Sequence, residues 1–241
     1  MLNAMIFAAG LGTRLKPYTN NKPKALVELA GKTLLERAIV KLKNLGVDRI
    51  VINVHHFADL IEDFLEENNN FGMDIRISDE RDELLDTGGG LKKAKPLFIP
   101  DKPILIYNVD ILSTIDLKKF INQHVSSKAL VSMVMRNRES SRYLYFNKDN
   151  QLTGWMNNKT NERKVARSDM DESDPLAFSG IHVVNPGLFD LIKEEGKFSI
   201  IDLYLRLAKT EKMLAYKDQS DVWFDLGKPE QLKEAEKVID Q

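Results

Sequence analysis

The first half of this 241-residue chain alternates short apolar runs, rich in β-branched side chains, with amphipathic helical patterns. This alternation is typical of βαβ units, in which crossover helices join parallel strands. Strands that are apolar on both faces lie in the middle of a sheet, and ligands bind beyond their carboxyl ends. The pattern predicts strands at 5–9, 49–54, 73–78 and 104–110, and helices at 33–46, 57–68 and 89–98.

After Ser126 the apolar runs become shorter and are separated by polar turns, which predicts mixed or antiparallel additions to the sheet. The polar stretch 157–175 predicts a mobile surface loop, because its acidic residues lack the spacing of metal ligands. The whole chain, 1–241, is predicted to form one α/β domain with a three-layer, mostly parallel, Rossmann-like mixed sheet flanked by helices. Further strands are expected at 129–136, 143–147, 151–155, 177–184 and 213–217, and helices at 185–196, 199–211 and 228–240.

Charge and composition exclude several classes of function. The chain has 35 Lys and Arg against 36 Asp and Glu, a formal net charge of −1, so no global positive field would attract a nucleic acid. It has no cysteine, which excludes disulfides, thiolate metal sites and cysteine nucleophiles. No basic segment precedes the N-terminal apolar run, and no stretch approaches the ~18 apolar residues of a membrane span. We therefore expect a soluble, cytoplasmic protein without nucleic-acid or membrane partners.

The segment that follows the first predicted strand has the composition of a phosphate-binding loop. Gly10 and Gly12 permit backbone conformations in which amide N–H groups converge on an anion, and Thr13 adds a hydroxyl donor. The segment is not a Walker loop, because G-x-x-x-x-G-K-[ST] is absent, nor a dinucleotide fingerprint, because Leu15 stands where a third glycine is required. It also carries four cations, Arg14, Lys16, Lys22 and Lys24.

Over its whole length this loop resembles that of the sugar-1-phosphate nucleotidyltransferases, also called sugar-nucleotide pyrophosphorylases. Their pattern is G-x-G-T-R-[LM]-x-P-x-T followed by K-P-K, which stands here as Gly10, Gly12, Thr13, Arg14, Leu15, Pro17, Thr19, Lys22, Pro23 and Lys24. The resemblance implies that Ala9, the backbone from Gly10 to Thr13 and the Arg14 side chain bind a nucleoside triphosphate. It also implies that Lys24 contacts the phosphates at the reaction centre. Lys16 is interpreted as a solvated surface charge.

The resemblance divides the chain into a nucleotide-binding half, about 1–126, and a sugar-binding half, about 127–241. Related enzymes hold the base beside a glycine-rich helix start, which makes Thr87, Gly88, Gly89 and Gly90 base-side candidates; a plain flexible helix start is the alternative. The family's sugar-side segment is similar to F-S-G-I-H, so Ser179 and Gly180 are sugar-side candidates. Glu80, after the third predicted strand, is a further candidate for the sugar phosphate.

Two carboxylates are predicted to bind Mg²⁺. Asn108 and Asp110 end the fourth predicted strand and face the ligand crevice, with Asn108 assigned to the nucleotide and Asp110 to the metal. Asp225 ends a later strand-like stretch, and its resemblance to the family's late aspartate makes it the second metal ligand, in preference to Asp221. Magnesium favours such hard oxygen donors and usually takes one or two protein carboxylates.

One departure from several relatives concerns the second phosphate-binding lysine. The second half lacks the E-K-P segment in which they carry it. Lys159, Lys164 and Arg167 in the polar stretch are candidate substitutes, and the sequence does not choose among them.

The predicted reaction is in-line attack by a sugar 1-phosphate on the α-phosphorus of the nucleotide, which releases pyrophosphate. The nucleophile is already a phosphate anion, so no general base is required. The resemblance favours UTP with N-acetylmuramate 1-phosphate, and GTP with mannose 1-phosphate is the alternative. A glycosyltransferase would need a D-x-D motif, but Asn108 stands where its first aspartate belongs; a non-catalytic sensor would have lost the metal carboxylates. The sequence does not indicate the oligomeric state.

Overall fold

The computed structural model describes residues 1–239 and centres on a ten-stranded mixed sheet. Two short ladders, β2 with β3 and β7 with β14, lie outside that sheet. The strands are β1 (Asn3–Phe7), β2 (Glu28–Leu29), β3 (Lys32–Thr33), β4 (Arg49–Val54), β5 (Asp74–Asp79), β6 (Ile104–Asn108), β7 (Ile111–Ser113), β8 (Val131–Arg136), β9 (Arg142–Phe146), β10 (Leu152–Asn157), β11 (Glu162–Val165), β12 (Asp174–Val184), β13 (Met213–Lys217) and β14 (Trp223–Asp225). The α-helices are α1 (Leu34–Leu45), α2 (Ala58–Glu67), α3 (Asp86–Ala94), α4 (Leu117–Ser127), α5 (Ile200–Leu207) and α6 (Pro229–Ile239).

The part of the sheet built by the first half of the chain is parallel, in the spatial order β5, β4, β1, β6. Met5 of β1 lies opposite Val51 of β4 on one side and Ile106 of β6 on the other. The chain builds outward from β1 to β5 and then returns to add β6 on the opposite side of β1. Such a reversal opens a crevice at the carboxyl ends of the two central strands, here after Phe7 and Asn108.

Helices cover both faces of the sheet, which confirms the predicted three-layer α/β fold. Ala4 and Ile6 of β1 belong to the core cluster that contains apolar residues of α1, α2, α4 and α6, whereas Met5 points to the other face and belongs to the cluster that contains those of α3 and α5. Helix α1 begins where the Thr33 side chain accepts a hydrogen bond from the Glu36 amide and ends at left-handed Gly46. Within residues 1–239, no helix is long and apolar enough to cross a membrane.

Strand β12 connects the parallel part of the sheet to the part built by the second half of the chain. It pairs antiparallel with β6, β8 and β9, and β9 and β10 continue antiparallel to β11. This arrangement confirms the predicted change to a mixed sheet after Ser126. The β14–β7 ladder places Asp225 opposite Ile111, so the two chain segments that carry the predicted metal ligands are neighbours.

Several predicted elements have different bounds in the structure, and three of them bear on the core or the site. The first strand ends at Phe7 rather than at residue 9, because the Ala8 amide donates to the side-chain oxygen Oδ1 of Asn53 (2.8 Å) and not to a backbone carbonyl of a neighbouring strand. The predicted helix 89–98 is α3, which ends at Ala94 before Pro96. The predicted helix 185–196 is instead a short 3-10 helix, Pro186–Leu191.

The prediction of a mobile loop at 157–175 is wrong for much of that stretch. Glu162–Val165 forms β11, which pairs with β10, and Ser168–Glu172 forms a 3-10 helix. Met170 of this helix is buried, and a β-carbon on Gly154 of β10 would overlap its side chain. One apolar anchor in a polar sequence therefore fixes a segment whose charges lie mostly at the surface.

His182 of β12 is buried between two aromatic rings. Its ring stacks on Phe178 (centroids 5.3 Å apart) and meets Tyr204 edge-on (5.6 Å). Neither imidazole nitrogen has a hydrogen-bond partner among the described residues, and burial lowers the pKa of His182 to about 3. The folded protein therefore holds this imidazole neutral.

We expect His182→Leu to flatten the dependence of stability on pH. Because the folded-state pKa lies below the unfolded value of about 6.5, the unfolded chain takes up a proton first as the pH falls. Stability from the neutral imidazole is therefore complete above pH ~6.5 and declines toward pH ~3, by at most about 1.4 kcal/mol per pH unit. Urea unfolding of both proteins between pH 7 and 4 measures the difference. Exposed His56→Gln is the control, and parallel curves for wild type and His182→Leu would contradict the expectation.

Candidate active site

Most of the predicted site residues line one pocket of about 490 Å³ at the sheet's switch point. A larger cavity of about 850 Å³, around Phe98 and Phe189, contains none of them. The 490 Å³ pocket is therefore the candidate active site, and we call it the switch-point pocket. The predicted residues that line it are Ala9, Gly10, Arg14, Lys24, Thr87, Asn108, Asp110, Ser179, Gly180 and Asp225. The predicted residues absent from its lining are Gly12, Thr13, Glu80, Gly88, Gly89 and Gly90.

The glycine loop is fixed by contacts within itself. Gly12 has a φ of 64°, and its carbonyl oxygen accepts a hydrogen bond from Thr19 Oγ1 at 2.9 Å. A β-carbon at Gly12 would strain the left-handed backbone and lie 3.0 Å from Thr19 Cγ2. At Gly10 a β-carbon would instead stand 3.9 Å from Lys24 Nζ, so the backbone there opens toward a cation. Gly12 is therefore required for the conformation of the loop, whereas Gly10 borders the pocket in which a ligand would bind.

Lys24 and Asp110 form an ion pair in the pocket. Lys24 Nζ lies 2.6 Å from Asp110 Oδ2, and the side chains are 16% and 9% exposed. The Coulomb attraction between two charges shielded from water in this way is stronger than that between two exposed charges. The other lysine of the K-P-K run, Lys22, is 37% exposed and lies 3.8 Å from Glu28, while Lys16 is exposed. Of the loop's lysines, it is Lys24 that lines the pocket.

Asp225 lies beside Asp110 in the same pocket. The backbone carbonyl of Asp110 accepts a hydrogen bond from the Leu226 amide at 2.8 Å, which links the turn after β6 to the end of β14. Burial and the neighbouring charge of Asp110 raise the pKa of Asp225, while the Gly227 amide donates to Asp225 Oδ1 at 3.0 Å. The two carboxylates, distant in sequence, therefore share one electrostatic environment.

The donor chemistry of this pair fits magnesium. Within residues 1–239 no group of three or more His, Cys, Asp or Glu side chains is arranged to hold a metal ion. Magnesium does not require such a group, since in nucleotide sites it usually takes one or two carboxylates and completes its shell with phosphate and water. Asp110 and Asp225 supply two hard oxygen donors beside the cation of Lys24.

Residues of β12 and Trp223 of β14 form another part of the pocket wall. Trp223 Nε1 donates to the Ser179 carbonyl oxygen at 3.1 Å and holds the indole against the strand. Ser179 Oγ is buried and has no hydrogen-bond partner among the described residues. A β-carbon on left-handed Gly180 would lie 2.8 Å from Ile111 and 3.0 Å from Asn108 Nδ2. Ser179 is fully buried, so its hydroxyl has no exposed surface, and the assignment of this residue to the sugar stays a prediction.

A family model described as nucleotidyl transferase matches residues 3–241. The chain belongs to the nucleotidyl transferase family. Similar proteins include two named N-acetylmuramate alpha-1-phosphate uridylyltransferase: that of Caulobacter vibrioides is 32% identical over 94% of this chain and 92% of its own length, and that of Neisseria meningitidis is 30% identical over 98% and 97%. The crystal structure of HddC from Yersinia pseudotuberculosis has a TM-score of 0.80 at 24% identity and covers 99% of this chain and all of that one. These matches confirm the predicted enzyme class and fold.

In this nucleotidyl transferase the glycine run of α3 does not open toward the ligand space, contrary to the prediction. The amides of Gly88 and Gly89 both donate to the Phe198 carbonyl oxygen, at 2.9 and 3.3 Å. A β-carbon on Gly88 would overlap the Phe198 ring, and one on Gly90 would lie 2.7 Å from Glu80 Oε1. The glycines therefore permit close packing of α3. Thr87, at the start of this helix, does line the switch-point pocket.

Glu80 is likewise absent from the pocket. It is fully buried, and both of its carboxylate oxygens are used: Oε1 accepts from Asn53 Nδ2 (2.8 Å) and Oε2 from the Leu85 amide (3.1 Å). Asn53 in turn accepts from the Ala8 amide. Glu80 thus connects the ends of β1 and β4 to the segment before α3, and this network replaces the predicted contact with a sugar phosphate.

The three candidate substitutes for the missing lysine do not line the pocket either. Lys164 pairs with Asp202 on the outer surface, Arg167 lies near Asp169, and Lys159 stands in the exposed turn between β10 and β11. Two cations that the sequence reasoning missed, Arg138 and Lys197, line the pocket instead. Arg138 follows the end of β8 by two residues, a position after a strand that could have marked it.

Proposed function

We propose that this nucleotidyl transferase transfers UMP from UTP to N-acetylmuramate 1-phosphate and releases pyrophosphate. The observation that carries the proposal is the Lys24–Asp110 ion pair beside Asp225, in one pocket with Gly10, Arg14 and Ser179. Two relatives of matching length carry the name of this activity. The proposed substrates are those in the names of these relatives. The arrangement of cations and carboxylates in the pocket suits a reaction between two phosphates.

In the proposed reaction, a phosphate oxygen of the acceptor attacks the α-phosphorus of UTP in line with the bond to the β-phosphate. That bond breaks as the new one forms, and pyrophosphate leaves toward Arg14 and the loop at Gly10. Lys24 and Arg14 lower the repulsion between two anionic substrates and stabilise charge on the leaving group. Asp110 and Asp225 would hold Mg²⁺, which supplies further positive charge to the phosphates.

A different pair of substrates, GTP and mannose 1-phosphate, is the alternative within the same chemistry. A rice protein named probable mannose-1-phosphate guanylyltransferase 2 is 27% identical over 95% of this chain, which covers 62% of that protein. This relative is more distant, and the chain matches only part of it. The experiment that tests the proposal therefore includes GTP with mannose 1-phosphate as the main competing pair of substrates.

The test is a matrix of four nucleoside triphosphates against a panel of sugar 1-phosphates, read out as pyrophosphate release. We expect UTP with N-acetylmuramate 1-phosphate to give the highest kcat/KM. Activity of every pair should disappear with excess EDTA and return when Mg²⁺ is added, because the two carboxylates would lose the cation that neutralises them. Full turnover in EDTA would contradict the metal assignment, and a preference for GTP with mannose 1-phosphate would overturn the substrate assignment.

A further inference from the structure

Arg138 is an immobilised cation in the wall of the switch-point pocket. Its guanidinium carbon lies 4.3 Å from the centroid of the Trp223 ring, a distance that allows a cation–π contact. Nη2 donates to the Phe178 carbonyl oxygen at 3.0 Å, and Nη1 donates to the carbonyl oxygen of Glu139 at 3.1 Å. Trp223 is itself held by its hydrogen bond to Ser179. The guanidinium is therefore positioned through three separate contacts before any ligand arrives.

This cation has hydrogen-bonding capacity left over. Its Nε is buried and has no partner among the described residues, and within those residues Arg138 forms no ion pair. Burial lowers the pKa of Arg138, while the charge of Asp225 acts in the opposite direction. Because a guanidinium stays protonated in proteins, its partial burial has a cost, which the two carbonyl acceptors, the Trp223 ring and the charge of Asp225 offset in part and which a bound anion would offset further. A guanidinium in this state is a ready partner for an anionic group of a ligand.

Arg138 also stands where two cavities meet. It lines the switch-point pocket and a neighbouring cavity of about 500 Å³, whose walls include Tyr143, Tyr145 and Asn158. Among the described residues, no other residue lines both cavities. A ligand group that extends from the pocket toward this second cavity would pass the guanidinium.

The position of Arg138 distinguishes it from the phosphate-binding cations. Trp223 and Asp225 lie on the same face of β14, so they are about 6.6 Å apart along the strand. Arg138 stacks on Trp223, which lies two residues along β14 from Asp225, whereas Lys24 is paired directly with Asp110. A group on the far side of the acceptor's sugar ring can span this separation, whereas the reacting phosphate has to remain beside Asp110 and Lys24.

We propose that Arg138 binds a carboxylate carried by the sugar ring of the acceptor, which makes the enzyme selective for acidic sugar 1-phosphates. The planar fork of a guanidinium matches a carboxylate and can donate two parallel hydrogen bonds to it. The proposal rests on the proposed function, since it takes a sugar 1-phosphate as the acceptor, and it specifies which class of sugar is preferred. N-acetylmuramate 1-phosphate belongs to that class; N-acetylglucosamine 1-phosphate, which lacks the acidic substituent, does not.

The experiment compares these two acceptors, each with UTP, in the wild type and in Arg138→Gln. We expect the wild type to prefer the acidic acceptor, and the ratio of kcat/KM values, acidic over neutral, to fall about 30-fold in Arg138→Gln, mainly through the KM of the acidic acceptor. Arg138→Lys keeps the charge but loses the fork, so its ratio should lie between the two. The matched control is Arg142→Gln, which removes the same charge from an exposed position outside both cavities.

Each other outcome overturns the proposal in a recognisable way. Equal losses on both acceptors would mean that Arg138 binds the common phosphate or only supports the wall, and equal use of both acceptors by the wild type would remove the selectivity itself. If Arg138→Gln did not fold, an unchanged ratio in folded Arg138→Lys would overturn the role of the fork. Absence of pyrophosphate release by the wild type with every nucleotide and acceptor would instead refute the proposed function, and so the two failures are distinguishable.

Discussion

Asp110→Asn is expected to lower kcat about a thousandfold, which corresponds to about 4 kcal/mol of transition-state stabilisation. The substitution keeps the shape of the side chain but removes its charge, and thereby the anionic partner of Lys24 and one of the two carboxylates proposed to hold the metal. The fold should survive, because the hydrogen bond that ties this turn to Leu226 uses the backbone of Asp110. Pyrophosphate release under saturating substrates gives kcat, and circular dichroism reports folding.

Asp221→Asn is the matched control for this experiment, since it changes the same charge at an exposed position four residues before Asp225. Its kcat should stay near that of the wild type. The double variant Asp110→Asn, Asp225→Asn should be little worse than the worse single variant, because both residues are proposed to act on one metal. Multiplicative losses would mean that the two carboxylates have separate tasks. Unfolding of Asp110→Asn would show that the aspartate mainly stabilises its turn.

Lys24→Ala is expected to slow turnover about a hundredfold or more. The ammonium is the one loop cation seen paired with Asp110, and its removal leaves that buried carboxylate without a partner as well as withdrawing charge from the phosphates. Steady-state kinetics with pyrophosphate detection measures the loss.

Lys16→Ala, which removes an exposed lysine from the same loop, should change turnover little. Equal effects of the two substitutions would mean that the loop acts as a diffuse basic patch rather than through one positioned group. Since Lys24 and Asp110 are in contact, Lys24→Ala and Asp110→Asn should also combine to less than the product of their separate effects.

The sequence predicted the architecture well because apolar residues recur with a period of two in strands and of 3.6 in helices. Those patterns located the central strands. Because ligands bind beyond the carboxyl ends of such strands, they also predicted that Asn108 and Asp110 face the ligand crevice, and both residues line the pocket. The position of Asp225 depended on the family resemblance, and the β14–β7 ladder accounts for its proximity to Asp110. The magnesium ion and the role of each residue remain predictions for the experiments above.

The sequence could not show which polar groups would form hydrogen bonds inside the folded protein. Glu80 and the amides of Gly88 and Gly89 looked available for a ligand, yet their partners, Asn53, Leu85 and Phe198, are set by tertiary packing. Arg138 was missed for the converse reason, because no sequence pattern shows which ring its guanidinium contacts. Its value comes from Trp223, a ring that lies far away in the chain.

The packing of α3 against the segment 196–198 has a consequence for anyone who wishes to re-engineer the substrate preference of this enzyme. The glycine run is closed to substitution, because a side chain at Gly88 would overlap Phe198 and one at Gly90 would press on Glu80. Lys197, however, projects from the same segment, is exposed and borders the switch-point pocket. A mutant library is therefore best directed at Lys197 and its exposed neighbours. The α3 glycines should be left unchanged, because they allow the close packing that supports this segment.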